Sequence, residues 1–186
     1  MTSSAYLTGR VLVAMPGIGD PRFERAVILV CAHDDQHAMG LALNCPVEKL
    51  TIRDLLAKLT IQAGVAPNDP VLIGGPVDTE RGFVVHTDEV EGAGQPIGGG
   101  LALSATREIL EALAGRRPRP RRFAMAIGYA GWDAGQLDRE IRESVWLTVD
   151  PDESLVFDAD HDAKWSRALA KLGVSPERLS VQPGRA

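Results

Sequence analysis

The stretch most able to make contacts is residues 128–137, GYAGWDAGQL. It reads as a turn that leaves a strand, bends at glycines and opens a helix. Tyr129 and Trp132 each join an apolar ring to one hydrogen-bond donor, a combination suited to holding a ligand or partner. Gln136 sits where the helix begins, and the first turn of a helix offers free N–H groups to an anion. Arg81, Phe83 and His86, on an earlier predicted strand, are the expected neighbours. The expected ligand- or partner-binding set is therefore Tyr129, Trp132, Gln136, Arg81 and His86. The competing reading is structural: the glycines permit close packing and the aromatic rings cap the core.

A second cluster is thiol and imidazole. Cys31 and Cys45 lie near His33, Asp34, Asp35 and His37. A reactive thiol needs a neighbouring cation or helix end to depress its pKa, and imidazole with carboxylate suits a first-row metal. A thiol- or metal-dependent enzyme around Cys31, Cys45 and His33 is thus one alternative. Against it, Cys31 lies within an apolar run and reads as a buried small hydrophobe. The H-D-D-Q-H spacing puts two imidazoles on one face only in a helix, and this segment reads as a hairpin turn.

A third feature is RRPRPRR, residues 116–122, with Arg116, Arg117, Arg119, Arg121 and Arg122. The formal net charge is −5, so without these five arginines it would be −10. The chain is strongly polarised. The prolines keep the segment extended, and it could meet phosphate, RNA or an acidic partner. A nucleic-acid-associated transcriptional regulator is the other alternative, not favoured. No helix-turn-helix with a basic second helix accompanies the arginines, and an acidic chain does not bind nucleic acid by bulk charge.

No catalytic constellation is visible. There is no G-x-S-x-G elbow and no H-E-x-x-H. Ser104 and Ser144 have no base nearby in sequence, although a triad need not be local. Gly74-Gly75-Pro76 and Gly98-Gly99-Gly100 lack the spacing of phosphate loops. No cofactor and no metal site is expected.

These residues must be positioned by a chain of 186 residues, the length of one domain. Hydrophobic residues make up 45% and charged residues 24%, a globular composition. Residues 10–15, 26–32 and 39–44 are short apolar runs bounded by turn residues and read as buried strands. Residues 51–64 read as a helix, with Ile52, Leu55, Leu56 and Leu59 on one face, Thr51 and Asp54 as a capping pair and Gly64 as the stop. Further helices are expected over residues 105–114, 135–143 and 160–172. Further strands are expected over 71–73, 82–86, 101–103, 123–127, 145–149 and 155–157. Residues 87–100 read as the longest loop, and 182–186 as a frayed end. The order of elements lacks a strict βαβ rhythm, which favours α+β. The longest apolar run is of strand length, so no membrane span is expected. With no secretory signal and two cysteines, a cytoplasmic location is expected.

Several short motifs stand together: Ala14-Met15-Pro16 with Asp20-Pro21-x-Phe23, Cys31-x-His33-Asp34, Ala38-Met39-Gly40-Leu41, Asn44-x-Pro46, Gly74-Gly75-Pro76-Val77, Arg81-Gly82-Phe83 and the GYAGW-x-x-GQL string. With these the chain resembles the YqgE/AlgH family of bacterial proteins, from about Leu7 to the C-terminus. The resemblance implies a single α+β domain over residues 1–186, with a bent, partly barrel-like sheet flanked by about four helices. It brings no accepted catalytic residues and no cofactor. Some members are called transcriptional regulators on genetic grounds. Two positions depart from the family pattern. Cys45 stands where arginine is usual, which removes a fixed positive charge at that corner, and His37 stands where glycine is usual. The reading favoured is a non-enzymatic regulatory or binding protein, contacting a protein or small ligand through residues 128–136.

Overall fold

The computed structural model describes residues 6–62 and 64–179. The described residues form ten strands: β1 (Val11–Ala14), β2 (Val27–His33), β3 (His37–Ala42), β4 (Pro46–Thr51), β5 (Pro70–Ile73), β6 (Val77–Thr87), β7 (Gln95–Gly98), β8 (Leu101–Ser104), β9 (Phe123–Asp133) and β10 (Trp146–Val149). Five α-helices accompany them: α1 (Ile52–Lys58), α2 (Arg107–Leu113), α3 (Gln136–Arg142), α4 (Glu153–Phe157) and α5 (Lys164–Lys171). The strand order is β10-β1-β2-β3-β9-β6-β8-β7, antiparallel along that path, with β4 and β5 attached beside β9. The sheet curls into a half-barrel, so the α+β class and bent sheet expected above are what the chain adopts. No helix among the described residues is long and apolar enough to cross a membrane.

The curl divides the apolar residues into an inner core and two outer ones. Val11, Val13, Val27, Leu29, Leu41, Val85 and Leu101 face inward. Leu12, Ile28 and Val30, their neighbours along the strands, face outward against Trp132, Leu137 and Trp146. Val71, Val84 and Met125 form the third core with α1 and α2. Covered on both faces, β1 is apolar at every position and β2 from Val27 to Ala32, which is why they read as continuous runs rather than alternating ones.

One end of the half-barrel is plugged by α5. The Trp165 indole donates to the Ala14 carbonyl at 2.8 Å. The Lys164 ammonium donates to the carbonyls of Leu43 and Val156, at 2.7 and 3.2 Å. Lys164 is only 1% exposed, and burial pulls its pKa down to about 8.

The two sheet halves meet on β9. Its residues Ala126 and Ile127 pair in parallel with Leu72 and Ile73 of β5, and residues 130–133 pair with β3. Between these regions the side-chain alternation slips by one. Ala124 and Ala126 belong to the inner core, and so does Tyr129; Met125 and Ile127 face outward, as do Ala130 and Trp132. The extra residue is Gly128, at φ +70. The link from β5 to β6 crosses β9 there. A Cβ on Gly75 would stand 2.1 Å from the Tyr129 carbonyl carbon, and one on Gly74 would stand 2.3 Å from the Gly128 oxygen.

Several expectations are corrected. Residues 128–133 are not a turn, because β9 continues to Asp133 on the hydrogen bonds of β3. Residues 155–157 are not a strand but the end of α4, started by the Asp152 carboxylate, which accepts from the Leu155 N–H at 2.7 Å. The loop over 87–100 contains β7, polar because it lies at the sheet edge. β4 was not expected, since its side chains are mostly solvated. The first helix does begin with the Thr51–Asp54 capping box but ends at Lys58, short of Gly64. The expected frayed end, 182–186, lies outside the described residues.

Replacing Gly75 with alanine is expected to cost about 3 kcal/mol or more, since backbone must move. Gly17→Ala, with nothing within 4 Å of the added methyl but φ +80, costs about 1–2 kcal/mol. Urea unfolding midpoints compare the two. Lys164 gives a pH signature. Its folded pKa, about 8, lies below the ordinary 10.5, so between these values the unfolded chain holds a proton that the folded one has lost. Stability therefore rises with pH in that window, by about 1 kcal/mol from pH 8 to 9, relative to Lys164→Met.

Candidate functional site

Trp132 is buried on the outer face of β9. Its indole donates to Glu140 Oε2 at 2.9 Å, and the Trp146 indole donates to the same oxygen at 2.8 Å. Gln136 donates its amide to Glu140 Oε1 at 2.9 Å, and its own oxygen accepts from the Asp133 N–H at 3.0 Å. The two indole rings meet edge to face at 6.1 Å. One carboxylate on α3 thus gathers three side-chain donors and clamps the helix to β9 and β10. Glu140 was not singled out from the sequence. The signal was its spacing four residues beyond Gln136, one helical turn on the same face.

Tyr129 is on the inner side, at the end of the half-barrel opposite α5. There the structure opens a groove of about 630 Å³ lined by His37, Met39, Arg81, Phe83, Gln95, Leu103 and Tyr129, among others. The Phe83 and Tyr129 rings stand edge to face at 5.9 Å. The Arg81 guanidinium lies 5.1 Å from the centre of the Phe83 ring. Among the described residues, neither the Arg81 guanidinium nor the Tyr129 hydroxyl has a hydrogen-bond partner, and Arg81 forms no ion pair. Gly131 keeps the groove open, because its missing side chain would rest against the Tyr129 ring at 3.5 Å. The sequence brought Tyr129, Arg81 and Phe83 forward. It did not bring forward Met39, Gln95 and Leu103, whose inward direction follows only from the strand registers.

His86 is elsewhere. It is wholly buried on the outer face, with its ring nitrogens 2.8 Å from the Thr87 carbonyl oxygen and 2.7 Å from Ser104 Oγ. Of the expected binding set, the structure therefore gathers Tyr129 and Arg81 around the groove. Trp132 also borders it, but with its donor committed to Glu140. Gln136 is committed likewise.

The arginine segment is engaged with the protein itself. Arg116 donates to Gln62 at 3.0 Å, and Arg117 donates to Glu111 at 3.0 Å. Arg119 stacks over Phe123. Arg121 makes a two-pronged pair with Glu153, one prong at 2.7 Å, and its N–H bonds Glu89. Arg122 covers Phe157 and donates to its carbonyl. The pairing with Arg121 holds the Glu153 carboxylate below its ordinary pKa.

The thiol cluster separates in space. Cys31 is buried, and burial pushes its thiol up to about 12. Cys45 is exposed. Cys31 sits at the irregularity between Val30 and Ala32, which pair with Gly40 and Met39, whereas Cys45 follows Ala42, which pairs with Ile28 at the other end of β2. His33 accepts from the Leu7 N–H at 2.9 Å and lies 3.4 Å from Asp138. Asp34 turns the β2–β3 hairpin, accepting from the N–H groups of Gln36 and His37. Among the described residues no three His, Cys, Asp or Glu side chains converge as metal ligands.

The AlgH-like family model matches residues 11–177. A UPF0301 protein of Caulobacter vibrioides is 54% identical over 184 residues, which is 97% of this chain and 94% of that protein. One from Paracoccus denitrificans is 48% identical, with both chains covered in full at 100%. The solution structure of AlgH from Pseudomonas aeruginosa superposes with a TM-score of 0.76 at 35% identity, covering 100% of this chain and 99% of that one. A Corynebacterium diphtheriae protein shares the fold at 21% identity, with a TM-score of 0.73.

Removing the Glu140 carboxylate strands two indole donors and one amide. Glu140→Ala is expected to cost about 2–4 kcal/mol. Tryptophan emission in the folded variant shifts to the red as water reaches Trp132 and Trp146. Denaturant melts and fluorescence spectra check both.

Proposed function

The chain belongs to the AlgH-like family, and we propose that it is a cytoplasmic binding protein that takes a small ligand into the open end of its half-barrel. The ligand class is a planar, apolar body carrying one anionic group. The observation that carries this reading is the uncommitted Arg81 guanidinium, held over Phe83 and beside Tyr129 in a groove of about 630 Å³. The edge-to-face pair of rings offers an aromatic surface to a planar body, and a guanidinium forks onto a carboxylate, sulfonate or phosphate. Concave, mostly apolar sites with a few polar anchors are where small ligands bind. His37 adds a second basic group at the rim and Asp133 an acidic one, so the ligand charge is expected to be small.

A regulatory role follows in this reading if occupancy of the groove is what a partner senses. The nucleic-acid alternative draws less support, since each of the five arginines already contacts a side chain or carbonyl of its own chain. The unpaired cysteines suit a reducing compartment.

Anilinonaphthalene sulfonate, with a planar naphthalene body and a single sulfonate, is the probe. Its fluorescence titration is expected to saturate at one site. Tyr129→Ala and Arg81→Gln each weaken it about tenfold, or about 1.4 kcal/mol, and Arg116→Gln leaves it unchanged. Equal affinity in the wild type and in both groove variants would overturn the assignment.

A further inference from the structure

The outer wall of the sheet holds a hydroxyl–imidazole pair that the groove does not use. In the β6–β8 ladder, Val84 stands opposite Ser104 and His86 opposite Ala102. Side chains two apart share a face, so His86 and Ser104 project together from the outer side. Neither borders the groove at the open end.

The hydrogen bonds fix the protonation pattern. His86 Nδ1 is 2.8 Å from the Thr87 carbonyl oxygen, which can only accept. In the neutral ring Nδ1 therefore carries the proton. Nε2 is left with its lone pair, 2.7 Å from Ser104 Oγ, so the serine hydroxyl donates to it. The Ala93 carbonyl is a second, more distant acceptor for that hydroxyl at 3.2 Å. Hydroxyl, imidazole and orienting acceptor stand in the order of an activated nucleophile, its base and the group that sets the tautomer. Because His86 is 0% exposed, no solvent competes for that tautomer.

Access comes from one side. Gly94 lies against the pair, where even a Cβ would come within 2.2 Å of Ser104 Oγ. On the other side Ser104 borders a groove of about 320 Å³ walled by Leu55, Leu59, Leu110 and Met125. Leu59 is 44% exposed, so the groove is open to solvent. The groove has an apolar wall, with Glu80, Arg81 and Arg107 also lining it, and that wall beside Ser104 fits an ester with an aliphatic acyl chain.

We propose that Ser104 is the nucleophile, and His86 the general base, of a second site that hydrolyses aliphatic acyl esters. Oγ attacks the ester carbonyl carbon while His86 Nε2 takes the hydroxyl proton. The bond from the carbonyl carbon to the alkoxy oxygen breaks, and the imidazolium returns that proton to the leaving alcohol. Water then attacks the acyl-serine with the same base, releasing the carboxylic acid and restoring the hydroxyl.

The test uses the intact protein with a fluorophosphonate probe and with p-nitrophenyl octanoate. One phosphonyl adduct on Ser104, mapped by peptide mass spectrometry, is expected, together with saturable ester hydrolysis. Ser104→Ala removes a single oxygen, keeps the circular dichroism of the folded state at some loss of stability from the unpaired His86 nitrogen, and loses both adduct and hydrolysis. His86→Gln reduces both at least tenfold. Leu59→Glu lowers the preference for octanoyl over acetyl ester at least tenfold. Absence of an adduct on Ser104, or octanoate hydrolysis undiminished in Ser104→Ala, overturns the proposal. Arg81 lines both grooves, so Tyr129→Ala, whose ring borders only the groove at the open end, separates failure here from failure of the ligand reading.

Discussion

Everything in this fold turns on the place where the chain crosses its own central strand. Gly74 and Gly75 pass over β9 at Gly128 with room for no side chain on any of the three. That contact lets one strand serve both halves of the sheet, pairing with β5 and β6 before the crossing and with β3 after it. It also shifts the alternation of side chains by one residue. Were Gly128 a regular pleated position rather than a bulge, Tyr129 would point outward and Trp132 into the barrel. The bulge thus decides which aromatic ring faces the groove and which packs beneath α3.

The ten residues GYAGWDAGQL consequently divide between two tasks. Trp132 and Gln136 close a packing clamp on Glu140, where a carboxylate satisfies three donors without any cation. Tyr129 and Gly131 form the floor of the groove, with Phe83 and Arg81 supplied from β6. The arginine-rich segment has a similar inward use. Its guanidinium groups bind Gln62, Glu111 and Glu153 and cover Phe123 and Phe157. The five arginines make these contacts while staying exposed, and they wrap the loop around the ends of α2 and α4.

Much of the architecture was legible in the sequence because burial on both faces leaves a simple mark. The runs that became β1 and β2, the apolar stripe of α1 and the Thr51–Asp54 cap are local signals with local causes. What was not legible depends on partners distant in sequence. β4 and β7 are polar, solvated edges that become strands only because β5 and β8 offer them hydrogen bonds. Residues 128–133 carry two glycines and look like a turn, yet they are the end of β9, with 130–133 paired to β3. The candidate site was half legible for the same reason. Tyr129 and Arg81 stood out by type, but the groove that unites them with Met39, Gln95 and Leu103 exists only through the register of five strands. The pairing of His86 with Ser104, 18 residues apart, is likewise a product of the β6–β8 ladder.

The central claim is that the bulge at Gly128 turns Tyr129 into a binding groove at the open end of the half-barrel. The most direct measurement is a nitrogen–proton correlation spectrum of the labelled protein during titration with anilinonaphthalene sulfonate. The account predicts saturating shifts concentrated on the amides of Met39, Arg81, Phe83, Leu103, Tyr129 and Gly131. Shifts centred instead on the helix α1–α2 surface or on residues 116–122, with the β9 amides still, would contradict it.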